Sequence, residues 1–391
     1  MSPGRAEPLP YWRLSGFYFF YFAALGAFLP YWPLYLKSEG YDHGRIGLLM
    51  ALLPATKLVS PALWGWLADR CDRSVLLVRF ASWLTALSFT IFLWDGGYSV
   101  VAVATLLMSF FWNAPLPLFE AVTLAYLAGR TSRYSRIRLW GSVGFIASVS
   151  ALGWALDRRL AIGCLPQLML GLFVVMGLVT LCVGERSVRQ AGHGEGTLWA
   201  IVKQGRVLAF FAVAMLIQVT HGPYYTFFSV YLHDHGYDGA QTGMLWSLGV
   251  VAEIVLFLVL ERVLRRFRLR QVMLAAIVLG ALRWWLIARF VDHPLLLATS
   301  QLLHAATFGA SHAVAIQLVH RYFAGVHHGK GQALYSSLSY GFGGMLGSYW
   351  SGLGWDLLGP STVFAAAAWC SLPALVIAWL WVDRPVRSVT A

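Results

Sequence analysis

Residues 35–42 read YLKSEGYD, and residues 231–238 read YLHDHGYD. Further glycines follow each copy, Gly44 and Gly47 after the first and Gly239 and Gly243 after the second. The two copies lie about half a chain length apart in a sequence of 391 residues, and each joins two long apolar segments. This spacing predicts a chain built from two repeated halves.

The composition places both halves in a membrane. Hydrophobic residues make up 59% of the chain and charged residues 12%, about half the charged share of a soluble domain. Since one span needs roughly 20 apolar residues, the length allows about twelve spans. We therefore expect an all-α membrane protein with twelve transmembrane helices in two six-helix repeats, at 12–36, 44–68, 75–94, 98–128, 138–156, 162–184, 206–232, 240–261, 270–290, 294–321, 331–354 and 361–382.

The polar segment around three closely spaced glycines is the predicted joint between the two halves. We expect an N-terminal half over 1–185, a cytoplasmic linker over 186–205 and a C-terminal half over 206–391. No cleavable signal peptide is expected, because the first apolar run is long and leads directly into the repeat.

Basic residues indicate the orientation in the membrane. The net charge is +12, and most of the 29 Lys and Arg residues fall in loops on the side of the two termini. By the positive-inside rule this side is cytoplasmic. The basic loops meet anionic lipid headgroups, so no nucleic-acid partner is needed to explain the charge. We expect a multi-pass protein of the inner (cytoplasmic) membrane that is monomeric, with both termini in the cytoplasm.

Catalytic and metal-binding motifs are not evident. The four cysteines form no Cys-x-x-Cys pair, and no phosphate-binding Gly-x-x-x-x-Gly-Lys-Ser/Thr sequence occurs. The one cluster of histidines, His320 with His327 and His328, falls in a predicted loop without an acidic residue. We expect no metal, no cofactor and no enzymatic activity.

Residues 65–74, GWLADRCDRS, resemble the loop signature of the major facilitator superfamily. The resemblance assigns a gating loop to Gly65, Asp69, Arg70 and Arg73. Asp72 stands where the family usually has Gly, so the turn can be tighter or differently paired.

Further stretches resemble the phenylpropionate permease family, which lies near the lactose and nucleoside permeases. They are LPYW at 29–32, RLWGSV at 138–143, SLGVVAE at 247–253 and QLLH at 301–304. The resemblance covers about residues 12–382. It implies alternating access and proton-coupled uptake, with 3-phenylpropionate as the family's name substrate.

Charged residues inside membrane helices are the first candidates for a site, since each costs ~2.5–3.5 kcal/mol at mid-bilayer. The lactose permease branch has a Glu and an Arg that bind sugar hydroxyls, matched here by Glu120 and Arg138, and a Trp matched by Phe145. Arg138 could instead be one more topogenic residue, and Glu120 a purely structural partner. The further substrate-binding candidates are Tyr18, Tyr21, Lys57, His221, Tyr224 and Tyr225.

A second set of buried ionisable residues is predicted to carry the proton. Glu253 lies deep in the eighth helix, with Arg283 of the ninth as its expected cation, and His304 as a third member. His304, Phe308 and His312 share one helical face at spacings of four. The alternative for Glu253 is a static pair with Arg283, and for His312 a packing role. The lactose permease branch has a second acid where this chain has Thr307.

The predicted function is proton-coupled uptake of a small organic solute, with an aromatic carboxylate such as 3-phenylpropionate favoured by the cationic and aromatic candidates. A sugar or nucleoside proton symporter is the alternative, and export of lipophilic drugs remains possible because fold does not fix function. The expected partners are a small-molecule substrate, protons and membrane lipids.

Overall fold

The computed structural model describes residues 9–94, 96–128, 130, 133–186 and 198–383. Every regular element in these ranges is helical. The main helices are α1 (Tyr11–Ser38), α2 (His43–Cys71), α3 (Ser74–Leu93), α4 (Gly97–Leu127), α5 (Tyr134–Arg158), α6 (Ile162–Leu181), α7 (Gly205–Asp234), α8 (Gly239–Arg266), α9 (Leu269–Arg289), α10 (Pro294–Tyr322), α11 (328–358) and α12 (Pro360–Trp381). Each lies within a few residues of its predicted position.

Eleven of these helices, among the residues described, are long and apolar enough to cross a membrane. The exception is α11, in which the π-helical turn Ser336–Gly343 lies between the α-helical segments His328–Tyr335 and Gly344–Leu358. The helix is nevertheless continuous from residue 328 to 358 and covers the eleventh predicted span. The predicted all-α architecture is confirmed.

The repeated sequence has the same local structure in both copies. Gly40 and Gly236 adopt left-handed backbone angles, with φ of 83° and 80°. In each copy the N–H of the following Tyr donates to the Leu carbonyl five residues earlier, at 3.2 and 3.1 Å, which is the closing bond of a Schellman motif. Asp42 and Asp238 then cap the next helix by accepting a backbone N–H, at 2.8 and 2.7 Å. The two copies therefore share their local structure as well as their sequence.

The described residues form two compact units. The first unit draws on the described residues of 9–28, 60–148 and 164–186, and the second on those of 29–59, 149–163 and 198–383. This division differs from the predicted halves, because parts of α1, α2 and α5 join the second unit. The predicted linker falls largely outside the described residues, so the division into two six-helix halves stays a prediction.

Aromatic packing forms the interior of the first unit. The rings of Phe17 and Phe119 stack at 3.9 Å, and Trp112 meets Phe173 edge to face at 5.0 Å. All four side chains are buried. This packing holds α1 against α4, the helix that carries Glu120.

In the second unit, polar contacts connect the helix ends next to the repeated loops. Lys37 lies 2.6 Å from Asp234, which joins the two copies of the repeat directly. Asp157 at the end of α5 accepts the backbone N–H groups of Gly239 and Ala240, each at 2.7 Å. These orphan donors at the start of α8 therefore have a carboxylate partner.

The backbones of α2 and α11 also approach each other closely. A Cβ atom added to Gly47 of α2 would lie 2.6 Å from Cα of Gly352 in α11. Real Cβ atoms do not come so close, so glycine is required there for the two helices to meet.

Candidate functional site

One cluster of charged side chains lies in the first unit, on α4 and α5. Nε of Arg138 is 3.8 Å from Oε1 of Glu120, and the two side chains are 31% and 34% exposed. The hydroxyl of Tyr134 donates to the same Glu120 oxygen at 3.3 Å. The structure thus brings the predicted pair together and adds a third polar group to it.

Aromatic rings cover the other side of the Arg138 guanidinium. It lies 4.0 Å from the ring centre of Phe22 and 5.6 Å from that of Tyr18. Tyr18 is buried and donates to Thr123 at 3.1 Å. Phe22 and Tyr134 escaped the sequence analysis, although Tyr134 precedes Arg138 by four residues and so shares its helical face.

Two other predicted substrate residues are part of the packing of the first unit. Phe145 is 7% exposed, and a Cβ on Gly26 would lie 2.6 Å from its carbonyl oxygen. The Tyr21 hydroxyl donates to the Trp112 carbonyl at 3.4 Å. Their contacts support α1 against its neighbours.

A second cluster lies in the second unit around Arg283 of α9. The side chain is 0% exposed, and its guanidinium lies 4.2 Å from the ring centre of Tyr224 and 4.5 Å from that of Trp284. Nη1 donates to Oγ1 of Thr307 at 3.0 Å. This is a cation held between aromatic faces and a hydroxyl group.

Glu253 pairs with His304, although the sequence predicted Arg283 as its cation. Nε2 of His304 is 3.6 Å from Oε2 of Glu253, with side chains 8% and 19% exposed. No carboxylate lies within 4.0 Å of Arg283 among the described residues. The carboxylate and the guanidinium are therefore separate features of this cluster.

A π-helical turn over Ala305–Ala310 shapes the α10 side of the cluster. The rings of His304 and Phe308 stack at 5.4 Å, and those of Phe308 and His312 at 6.1 Å, so the predicted shared face is confirmed. Nδ1 of His312 lies 3.1 Å from the Tyr335 hydroxyl. Turns of this kind occur often at functional sites.

The remaining candidates of the second unit surround Arg283 and His312. Tyr224 donates to Oε1 of Gln301 at 3.0 Å, and the His221 ring lies 4.9 Å from Trp284. Tyr225 stacks on His221 at 5.7 Å. The Lys57 ammonium, at a turn within α2, lies 5.9 Å from the ring centre of Tyr340.

Several buried nitrogen atoms of the Arg283 cluster have no hydrogen-bond partner within the described structure. They are Nε and Nη2 of Arg283, Nε2 of His221 and Nδ1 of His304. His221, Trp284 and Thr307 also line a small cavity whose space for the centre of a water molecule is about 10 Å³, or room for about one water. The cluster therefore contains buried nitrogen atoms without partners, and one of their residues, His221, lines a space for about one water.

The predicted gating loop lies at the end of α2. Gly65 and Asp69 line a cavity of about 210 Å³ together with Asp72. Arg70 stacks on Trp66 at 4.3 Å, and Arg73 is exposed. Asp72 adopts a left-handed φ of 48°, the conformation that glycine takes most easily, so the departure from the family pattern is accommodated with some backbone strain.

The described residues contain no group of three or more His, Cys, Asp or Glu side chains able to hold a metal ion. The structure instead contains two clusters of charged and aromatic side chains on membrane-length helices. The cluster around Glu120 and Arg138 is internally paired, whereas in the cluster around Arg283 and Glu253 two nitrogen atoms of the guanidinium have no hydrogen-bond partner.

Comparison with known proteins places this arrangement in a class. A probable 3-phenylpropionic acid transporter of Escherichia coli (strain K12) is 30% identical over 94% of this chain and 96% of its own length. A maltose permease of Geobacillus stearothermophilus is 28% identical over 84% of this chain and 83% of its own. The crystal structure of nucleoside transporter NupG superposes with a TM-score of 0.84 over 96% of this chain and 99% of that one, at 19% identity, which establishes the fold alone.

The fold and these relatives define a multi-pass membrane transporter of the major facilitator type. The MFS_1 like family matches residues 11–366, and the chain belongs to this family. The resemblance read from its sequence motifs is thereby confirmed.

Proposed function

We propose that this protein is a proton-coupled uptake permease for a small aromatic carboxylate such as 3-phenylpropionate. The observation that carries the proposal is the contact between Glu253 and His304 in the middle of membrane-length helices. A desolvated carboxylate tends to keep its proton, and a nearby cation tends to remove it. The Glu253 carboxylate can therefore take up and release a proton as its surroundings change.

The carboxylate substrate class rests on the cationic and aromatic character of the clusters. Arg283, Arg138 and Lys57 supply positive charge, and Tyr224, Trp284 and Phe22 lie beside the arginines. The Escherichia coli relative, a probable 3-phenylpropionic acid transporter, supports the same chemistry. Solute is carried by alternating access of two six-helix halves, 1–185 and 206–391, in which the loop containing Gly65, Asp69, Arg70 and Arg73 takes part.

A sugar or nucleoside symporter is the second candidate. The partly exposed Glu120–Arg138 pair favours it, because a carboxylate beside a guanidinium can bind hydroxyl groups. The names of the maltose and nucleoside relatives agree with it. Drug export on the same fold is a third candidate, distinguished by the direction of net flux.

Uptake into liposomes containing the purified protein tests these alternatives. Labelled 3-phenylpropionate should accumulate when the outside is acidic and should cease to do so when a proton ionophore collapses the gradient. Accumulation of maltose or a nucleoside in place of the carboxylate would establish the second candidate. Outward-directed transport of lipophilic cations would establish the third.

The proposed location is the inner (cytoplasmic) membrane, with a monomer whose two termini are cytoplasmic. The bias of basic loops toward the termini supports this orientation. A tag at either terminus should be reachable from the cytoplasmic side alone. External labelling of one terminus would contradict an even number of spans.

A further inference from the structure

Arg283 is a buried cation whose described contacts leave part of its hydrogen-bonding capacity unused. Its side chain is 0% exposed, Nη1 binds Thr307, and Nε and Nη2 have no hydrogen-bond partner. Buried donors without partners are rare and costly, and more so when they carry charge. A buried guanidinium with unpartnered N–H groups is suited to bind an anion.

The absence of a carboxylate beside Arg283 among the described residues also favours an anionic ligand there. Glu253, the acidic residue of this cluster, lies against His304 at 3.6 Å, and no carboxylate of the described residues is within 4.0 Å of Arg283. Stacking on Tyr224 and Trp284 at 4.2 and 4.5 Å attracts the cation, but Nε and Nη2 still have no hydrogen-bond partner. A carboxylate would supply both the missing charge and two acceptor oxygens in the geometry that a guanidinium fits.

The surroundings favour an aromatic carboxylate over a sugar. The ring centres of Tyr224 and Trp246 lie 4.6 Å apart, and His221 meets Trp284 at 4.9 Å. Trp284 and Thr307, which both contact Arg283, also line the water-sized cavity, whose walls are mostly apolar with a few hydroxyl groups and the His221 imidazole. An apolar ring with one charged end suits such a mixed environment, whereas a solute with many hydroxyl groups would leave most of them unpaired.

We propose that Arg283 binds the carboxylate of the transported solute through Nε and Nη2, so that the second unit contains an anion-binding subsite distinct from the Glu253–His304 pair. This proposal rests on the proposed function, because it assumes that the solute is a carboxylate. It separates the two tasks, with Arg283 holding the anion and Glu253–His304 carrying the proton. Trp284, which touches Arg283, provides a spectroscopic reporter.

The test titrates purified full-length protein with sodium 3-phenylpropionate and follows tryptophan fluorescence and heat of binding. Arg283→Gln should weaken binding on the order of 100-fold or more, since it removes a charge and two charge-assisted hydrogen bonds. Arg283→Lys should weaken it roughly 10-fold, because it keeps the charge but loses the planar fork. The matched control is Arg289→Gln, which alters an exposed arginine of the same helix and should bind as the parent does.

Two further ligands identify the group that is recognised. The alcohol 3-phenylpropanol, which has no charge, should bind weakly to the parent and equally weakly to Arg283→Gln. Sodium chloride should compete only weakly with the carboxylate. Chloride binding that depends on Arg283 and excludes the carboxylate would overturn the proposal in favour of an inorganic anion site.

The outcomes also separate this proposal from the proposed function. If the parent neither binds nor transports any carboxylate, the proposed function fails and this proposal falls with it. If the parent binds 3-phenylpropionate and Arg283→Gln binds it with the same affinity, the proposed function stands and Arg283 is not the anchor. Melting temperatures of the variants, measured without ligand, show whether a loss of binding follows from loss of folding.

Discussion

The two arginines, Arg138 and Arg283, differ in burial and in charge balance. Arg138 is 31% exposed and has a carboxylate at 3.8 Å, whereas Arg283 is 0% exposed and has a hydroxyl and two aromatic rings. A buried charge without a counter-ion costs more than an exposed one with a partner. The comparison teaches that charge inside a membrane helix marks a ligand site most clearly where the protein itself does not neutralise it.

The largest expected effect concerns the acidic member of the second cluster. Glu253→Gln removes the titrating proton but keeps size and hydrogen bonding. It should abolish accumulation against a gradient while leaving exchange between preloaded liposomes largely intact, because exchange needs only the loaded carrier to turn over.

The control for Glu253→Gln is Glu261→Gln. Glu261 lies eight residues further along α8, is exposed and pairs with Arg265. This variant should accumulate solute normally. Normal accumulation by Glu253→Gln, with the parent's response to external pH, would show that Glu253 does not carry the proton, and His304→Gln would be the next variant to measure.

A smaller effect, on carboxylate binding, is expected when Arg138 loses the carboxylate beside it. Glu120→Gln deprives Arg138 of its carboxylate and should create a second, weaker class of carboxylate binding. Because Arg138 is 31% exposed, the added binding should fall as salt is raised. Calorimetric titration at low and high salt would detect it, and an unchanged isotherm would show that charge balance does not decide where the anion binds.

The smallest effect is expected for a charged pair that is well formed but exposed. Lys37 and Asp234 are 2.6 Å apart with side chains 33% and 37% exposed, so Lys37→Ala should cost less than about 1 kcal/mol. Asp157→Asn should cost more, up to about 2 kcal/mol, because it removes the negative charge that accepts two backbone N–H groups at the start of α8. Thermal unfolding of both variants in one detergent ranks the two, and the reverse order would contradict the importance assigned to this contact.

The fold was largely predictable because its signals are local. Apolar runs of membrane length gave every helix within a few residues, and the Gly-Tyr-Asp repeat predicted two turns that share left-handed glycines and Asp caps. The division into compact units was not predictable, because it depends on contacts between segments distant in sequence, such as Asp157 with the start of α8.

The members of the two clusters were largely predictable from the sequence, but their pairing was not. Depth in a helix singles out Glu253 and Arg283 from the sequence. Their neighbours depend on how the helices are rotated against each other, including α10, where a π-helical turn begins directly after His304. One signal was present in the sequence. Thr307 stands where the lactose permease branch has an acid, and in the structure this hydroxyl is the hydrogen-bond partner of Arg283.

Restoring an acid at that position gives the most direct test of the central claim. Thr307→Asp places a carboxylate beside Arg283, where Oγ1 now lies 3.0 Å from Nη1, and Thr307→Asn introduces a side chain of the same shape without charge. In a fluorescence titration with 3-phenylpropionate, Thr307→Asp should lose binding on the order of 100-fold, and Thr307→Asn should lose much less. Equal affinity in the two variants, with both folded, would contradict the claim that Arg283 holds the solute's carboxylate because the protein leaves its charge unpaired.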